Sequence, residues 1–135
     1  MFLDSLRPWA LALVRIIVGY SFILHATSKF WEWPISMTGG NGAVQLGSLI
    51  GVGGVIELVF GALFILGLFT RVAAFLLSGQ MAVAYLMFHA PSEGGFFLPM
   101  VNGGEPALLF SVIFLVYVFT GAGALSLDGK RLPKK

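Results

Sequence analysis

Four apolar runs fill this sequence, at approximately residues 8–29, 47–69, 72–90 and 106–125. Each is close to the ~20 residues that a helix needs to cross a hydrocarbon layer about 30 Å thick. No water in that layer can satisfy backbone N–H and C=O groups, so each run must close its hydrogen bonds internally, as a helix. Charged residues make up 10% of the chain and hydrophobic ones 58%, whereas soluble domains carry roughly 25% charge. The expected fold class is therefore all-α: a polytopic membrane protein, one domain over residues 1–135, built as a four-transmembrane-helix bundle.

The first run contains Arg15, and no A-x-A-like site precedes Lys29-Phe30-Trp31-Glu32, so it reads as a retained anchor rather than a cleaved leader. Cysteine is absent. That excludes disulfides, thiolate catalysis, Fe–S ligation and cysteine-based zinc sites, and no other metal-ligand spacing is present. The net charge of +2 is no nucleic-acid signal, because four basic residues (Lys130, Arg131, Lys134 and Lys135) form a C-terminal tail. Such tails usually set topology. With both termini cytoplasmic, Arg7, Arg71 and that tail lie inside, and Lys29 is the basic residue left outside with Glu32, Glu93 and Glu105. The positive-inside rule therefore predicts N-in, C-in.

Pro8 suits the first turn of span 1, and Trp9, Trp31 and Trp33 suit interfacial belts. The outer loops, about 31–46 and 91–105, are rich in Gly. The second ends at Asn102-Gly103-Gly104-Glu105-Pro106, where a carboxylate complements the positive end of span 4; this turn could also order a ligand. Span 2 carries Gly47, Gly51, Gly53, Gly54, Gly61 and Gly67, which in lipid reads as a helix-packing face. Spans 2 and 3 should form a tight antiparallel hairpin about Phe69-Thr70-Arg71. An echo links the first two spans. Arg15, Gly19, Phe22, Ala26 and Lys29 repeat the intervals of Glu57, Gly61, Phe64, Leu68 and Arg71, and each set forms one stripe.

The costly residues within the spans are Arg15, His25 and Glu57. A charge at the bilayer centre costs about 2.5–3.5 kcal/mol on insertion scales, so such groups face a bundle interior, a partner or a wet cavity. A rise of about 1.5 Å per residue offsets Arg15 and Glu57 by some two turns. By depth, Arg15 falls nearer Gln80, and Glu57 nearer Tyr20, Ser21 and His25. His25, Lys29, His89 and Glu105 gather at the outer surface, where Lys29, like Arg71 at the inner one, is expected to snorkel. Structural hydrogen bonding and ligand or proton chemistry remain equal readings of Arg15 and Glu57. A haem held by His25 and His89 is a lesser alternative.

The chain resembles the DoxX family of small four-helix bacterial inner-membrane proteins. The matching pieces are Arg15-x3-Gly19-x2-Phe22-x6-Lys29, Glu57-Leu58-Val59-Phe60-Gly61, Gly67-Leu68-Phe69-Thr70-Arg71, Gly104-Glu105-Pro106-Ala107-Leu108-Leu109 and Gly121-x-Gly123-Ala124-Leu125-Ser126-Leu127-Asp128. The resemblance implies a multi-pass protein of the bacterial inner membrane, of a kind commonly labelled an oxidoreductase and named for a subunit of a quinone-linked thiosulfate or terminal oxidase system. Relatives in the broader group have trafficking roles without redox chemistry. The family positions carried over are Arg15, Lys29, Glu57, Arg71 and Glu105; His25 and His89 match no family motif.

The chain has no electron carrier of its own, since it lacks cysteine and a Gly-rich dinucleotide fingerprint. Redox work would require a bound quinone, a haem or a partner subunit. The expected function is an accessory subunit that binds a quinone or other lipid-soluble ligand within the bundle. Glu57 would exchange the proton, Arg15 would set the local field, and Tyr20, His25, Lys29, Gln80 and Glu105 are the candidate ligand contacts. Lipid, redox partner subunits and a second copy are the expected partners. The alternative is a non-enzymatic scaffold or a small transporter.

Overall fold

The computed structural model describes residues 1–131. Lys134 and Lys135, used in the charge count above, lie outside the described residues. All regular structure among the described residues is helical, in the order α1 (Phe2–Trp31), α2 (Leu49–Leu66), α3 (Thr70–Ala84, continuing as a π-turn Tyr85–His89), α4 (Pro99–Asn102), α5 (Glu105–Thr120) and α6 (Leu127–Arg131). Three helices are long and apolar enough to span a bilayer: α1 with 30 residues, α2 with 18, and α3 with its π-turn at 20. The fourth apolar helix, α5, has 16 residues. The chain is a polytopic membrane protein with three long apolar helices and a shorter one.

The start of α1, the α2–α3 turn and α6 lie at one end of the bundle, here the terminal end. The two long connections lie at the other, the loop end. α1 packs on α2, α2 on α3 and α3 on α5. The α2 part of the second stripe faces the first across the α1–α2 seam, and in a reciprocal way. A Cβ on Gly61 would touch Phe22 at 3.5 Å, and one on Gly19 would stand 3.3 Å from Phe64 and overlap Ile65. Each glycine thus seats the other helix's aromatic ring. Phe22 and Phe64 meet Phe114 edge-on at 5.0 Å each, and Phe64 meets Tyr117 at 4.9 Å. This fully buried aromatic ladder ties α1 and α2 to α5, and the Tyr117 hydroxyl donates to Leu11 O.

The terminal end is closed by polar side chains. Arg15 is fully buried; its guanidinium donates to Ile65 O at 3.2 Å, Ala124 O at 3.0 Å and Leu125 O at 2.6 Å, and also to Ala122 O. It holds residues 121–126 in a turn, with Gly121, Gly123 and Leu125 at φ 74°, 78° and 52°. Span 4, drawn to about residue 125, ends as a helix at Thr120 with Gly121 as its C-cap, and the carbonyls that follow serve Arg15 instead of continuing the helix. Span 1 is corrected in the opposite sense: α1 begins at Phe2, with Pro8 inside it, and Pro8 O accepts from Ala124 N. Arg71 donates to Val118 O and Phe119 O at 2.8 and 2.7 Å, capping α5. Asp128 caps α3 through Phe69 N and Thr70 N at 2.8 and 2.9 Å.

At the loop end, Asn102 organises the second connection. Its side chain donates to Tyr85 Oη and Gly95 O and accepts from Gly104 N at 2.7 Å. A Cβ at Gly104 would stand 2.7 Å from the Tyr85 ring, so only glycine lets the chain pass before α5. The first connection is irregular and knit by Glu32, whose carboxylate accepts from Ser36 and Thr38. The Ser36 hydrogen bond, followed by the backbone of Gly42, holds the Glu32 carboxyl below its ordinary range.

Removing the Arg15 guanidinium leaves four carbonyls without this donor. Arg15→Met should cost about 3 kcal/mol, and Arg15→Lys less, since one ammonium reaches only part of the set. Thermal unfolding of the purified protein in detergent measures both.

Candidate functional site

One polar cluster lies where α1, α2 and α3 meet. Glu57 stands midway along α2, roughly 12 Å from its loop-end start at 1.5 Å per residue. Its carboxylate is 3% exposed, and the Lys29 side chain from the loop end of α1 is 12% exposed. Lys29 Nζ lies 2.7 Å from both Glu57 Oε1 and Oε2. From α3, Gln80 Nε2 donates to Gly53 O at 2.9 Å and reaches Glu57 Oε1 at 3.4 Å. The other amide atom, Gln80 Oε1, is buried and has no hydrogen-bond partner. Turning the amide over would set oxygen against two acceptors, so the donors fix its orientation.

Two adjacent glycines make this convergence possible. A Cβ on Gly54 would stand 2.8 Å from Phe30 Cζ and 3.2 Å from Lys29 Cδ, so its absence lets the lysine stem cross α2 toward Glu57. A Cβ on Gly53 would stand 3.1 Å from Gln80 Nε2. The Gly53-Gly54 pair therefore opens α2 to a polar side chain from each flanking helix. With both carboxylate oxygens paired to one ammonium, the cluster carries no net charge, the condition under which lipid tolerates ionised groups.

Several expectations from depth alone are corrected. Gln80 is bound to Glu57, whereas Arg15 spends its donors on backbone carbonyls at the terminal end. Glu57 is bound by Lys29 and Gln80 and makes no hydrogen bond with Tyr20 or His25. Lys29 turns into the bundle instead of snorkelling, because the gap at Gly54 gives it an anionic partner within reach. Tyr20 is 56% exposed on the outside of α1. His25 packs edge-on against Phe110 at 5.7 Å, and His89 lies against Tyr85 with Nδ1 3.2 Å from Asn102 O. Glu105 stands exposed at the first turn of α5, on the rim of a groove between α1 and α5.

The Lys29–Glu57 pairing was within reach of the sequence. Aligning the echoing stripes antiparallel, with each phenylalanine on the other's glycine, sets Lys29 beside Gly54 and one turn from Glu57. The role of Gln80 carried no such signal, since a lone amide on an apolar helix has many possible partners.

The DoxX family model matches residues 10–90, which takes in Arg15, Lys29, Glu57 and Gln80 but not Glu105. An uncharacterized protein of Haemophilus influenzae is 58% identical over 132 residues, covering 98% of each chain. An uncharacterized membrane protein of Mycobacterium tuberculosis is 32% identical over 141 aligned residues, covering 95% of this chain and 84% of its own. No solved structure matches.

Removing one partner of a buried ion pair strands the other charge, at a cost of about 3–5 kcal/mol, whereas replacing both by apolar groups can be neutral. Lys29→Met and Glu57→Leu should each lower the unfolding midpoint in detergent markedly. The double variant should be more stable than either single one. Additive losses across this cycle would show that the two side chains do not act as a pair.

Proposed function

Because this chain belongs to the DoxX family of integral membrane proteins, we propose that it binds a quinone or a similar lipid-soluble ligand at the Lys29–Glu57–Gln80 cluster, as an accessory subunit of a membrane redox system. The observation carrying this reading is the unpartnered Gln80 Oε1, a buried acceptor beside a buried ion pair. Leaving such an acceptor unsatisfied costs about 1–3 kcal/mol. A ligand hydroxyl donating to it recovers that loss. Lys29 has an ammonium hydrogen to offer a carbonyl oxygen, and Glu57 is the group able to take up or release a proton at that place. A bound quinone would supply the paired electron and proton carrier that a chain without cysteine lacks.

In this reading the protein sits in the bacterial inner membrane with both termini cytoplasmic, following the basic residues Arg7, Arg71 and Lys130 at the terminal end. A C-terminal green fluorescent protein fusion should then fluoresce, and an alkaline phosphatase fusion at the same place should be inactive. A second reading, a non-enzymatic membrane scaffold, is favoured by the closed geometry of the pair, in which Lys29 engages both Glu57 oxygens. There the cluster only staples three helices.

Mass spectrometry of the gently purified protein, followed by quinol titration, separates the two. The redox reading expects a co-purified or titratable quinone, with affinity reduced about tenfold in Gln80→Leu, the loss of one hydrogen bond of about 1.4 kcal/mol. Glu57→Gln should keep binding but alter its pH dependence. Absence of any bound or titratable quinone would leave the staple.

A further inference from the structure

The α1–α5 side of the bundle differs from the other three. The two helices are joined across it by aromatic rings, Phe22 against Phe110 at 5.3 Å and against Phe114 at 5.0 Å, rather than by close backbone packing. Beside these rings runs a groove of about 420 Å³, lined by Ile17, Val18, Ser21, Leu109 and Phe110, with Glu105 at its loop-end rim. Both helices present large apolar side chains outward here, so the groove opens to acyl chains. Two polar side chains interrupt it. Neither Ser21 nor Glu105 has a side-chain hydrogen bond or ion pair among the described residues.

The length of α5 bears on Glu105. Sixteen residues rise about 24 Å, some 6 Å less than a typical hydrocarbon core. Its far end is held by Arg71 on the Val118 and Phe119 carbonyls. An unpaired carboxylate at the other end of so short a helix is drawn toward the acyl region, where charge is costly. It accepts hydrogen bonds and carries a negative charge, so a cationic donor is its strongest complement. A groove that opens to lipid can draw such a donor from the bilayer.

We propose that the α1–α5 groove is a lipid site selective for an ammonium headgroup: an aminophospholipid of the ethanolamine type seats one acyl chain along Ile17, Val18, Leu109 and Phe110 and sets its ammonium on Glu105. Ser21 then offers its hydroxyl to an ester or phosphate oxygen of the same lipid. The site stands apart from Lys29, Glu57 and Gln80, and it neither requires nor precludes the quinone reading.

The test uses the full chain in detergent, equilibrated with an equimolar mixture of phosphatidylethanolamine and phosphatidylglycerol of matched chains, and counts retained lipid by native mass spectrometry. One ionic contact near a membrane surface is worth roughly fivefold in binding, and that is the expected preference for ethanolamine. Glu105→Gln should abolish the preference, and Glu105→Lys should invert it toward the glycerol lipid. Leu109→Trp, filling the groove from its exposed side, should reduce retention of both. Helical content by circular dichroism controls for folding. Equal retention by the native chain overturns the proposal, and so does an ethanolamine preference that survives Glu105→Lys. So would a dimer that Leu109→Trp dissociates, because a second copy would then fill the groove.

Discussion

Ionised groups withdrawn from water must be met in full by the protein, and this bundle is organised around two such obligations. One is the Lys29–Glu57 pair, with Nζ at 2.7 Å from both carboxylate oxygens. The other is Arg15, which donates to backbone carbonyls of Ile65 and of the turn after α5. Lipid gives neither group an alternative, and so both act as fixed points. Lys29 and Glu57 lock α1 to α2 toward the loop end, and Gln80 draws in α3. Arg15 ties α1 to the chain following α5 at the terminal end.

Between those fixed points the packing is apolar and depends on absent side chains. With no hydrophobic gain between helices in lipid, close approach is what van der Waals contact requires. Gly19 and Gly61 each receive the other helix's phenylalanine, and the same register carries Lys29 over Gly54 to Glu57. A glycine that seats a ring and a glycine that admits a lysine thus belong to one interface. Electrostatics and packing specify the same alignment, the kind of agreement between levels that gives a sequence a single structure.

The two ends divide their work. Around the terminal end, Arg15, Arg71 and Asp128 bind backbone groups, while the buried Thr70 Oγ1 there has no hydrogen-bond partner. Toward the loop end, the cluster keeps a buried acceptor in reserve at Gln80 Oε1, and α5 begins with an unpaired carboxylate above a groove. The Arg15, Arg71 and Asp128 caps thus lie at the opposite end of the bundle from the second connection that Asn102 organises.

Sequence alone determined that the chain is all-helical and membrane-embedded, since runs of about 20 apolar residues leave the backbone no other way to satisfy itself in lipid. It also marked Arg15, His25 and Glu57 through their cost within the spans, and Arg15, Lys29, Glu57, Arg71 and Glu105 through resemblance to one family. Which partner each would find was decided by tertiary structure. Depth along a helix fixes height but not azimuth, so counting residues set Glu57 near His25, which packs instead against Phe110; Arg15 and Gln80 differ in height itself, one reaching Ile65 and the other Gly53 on α2. The end of α5 was legible in Gly121 and Gly123, which take positive φ there, but the guanidinium that gathers the following carbonyls comes from a segment more than a hundred residues away in sequence.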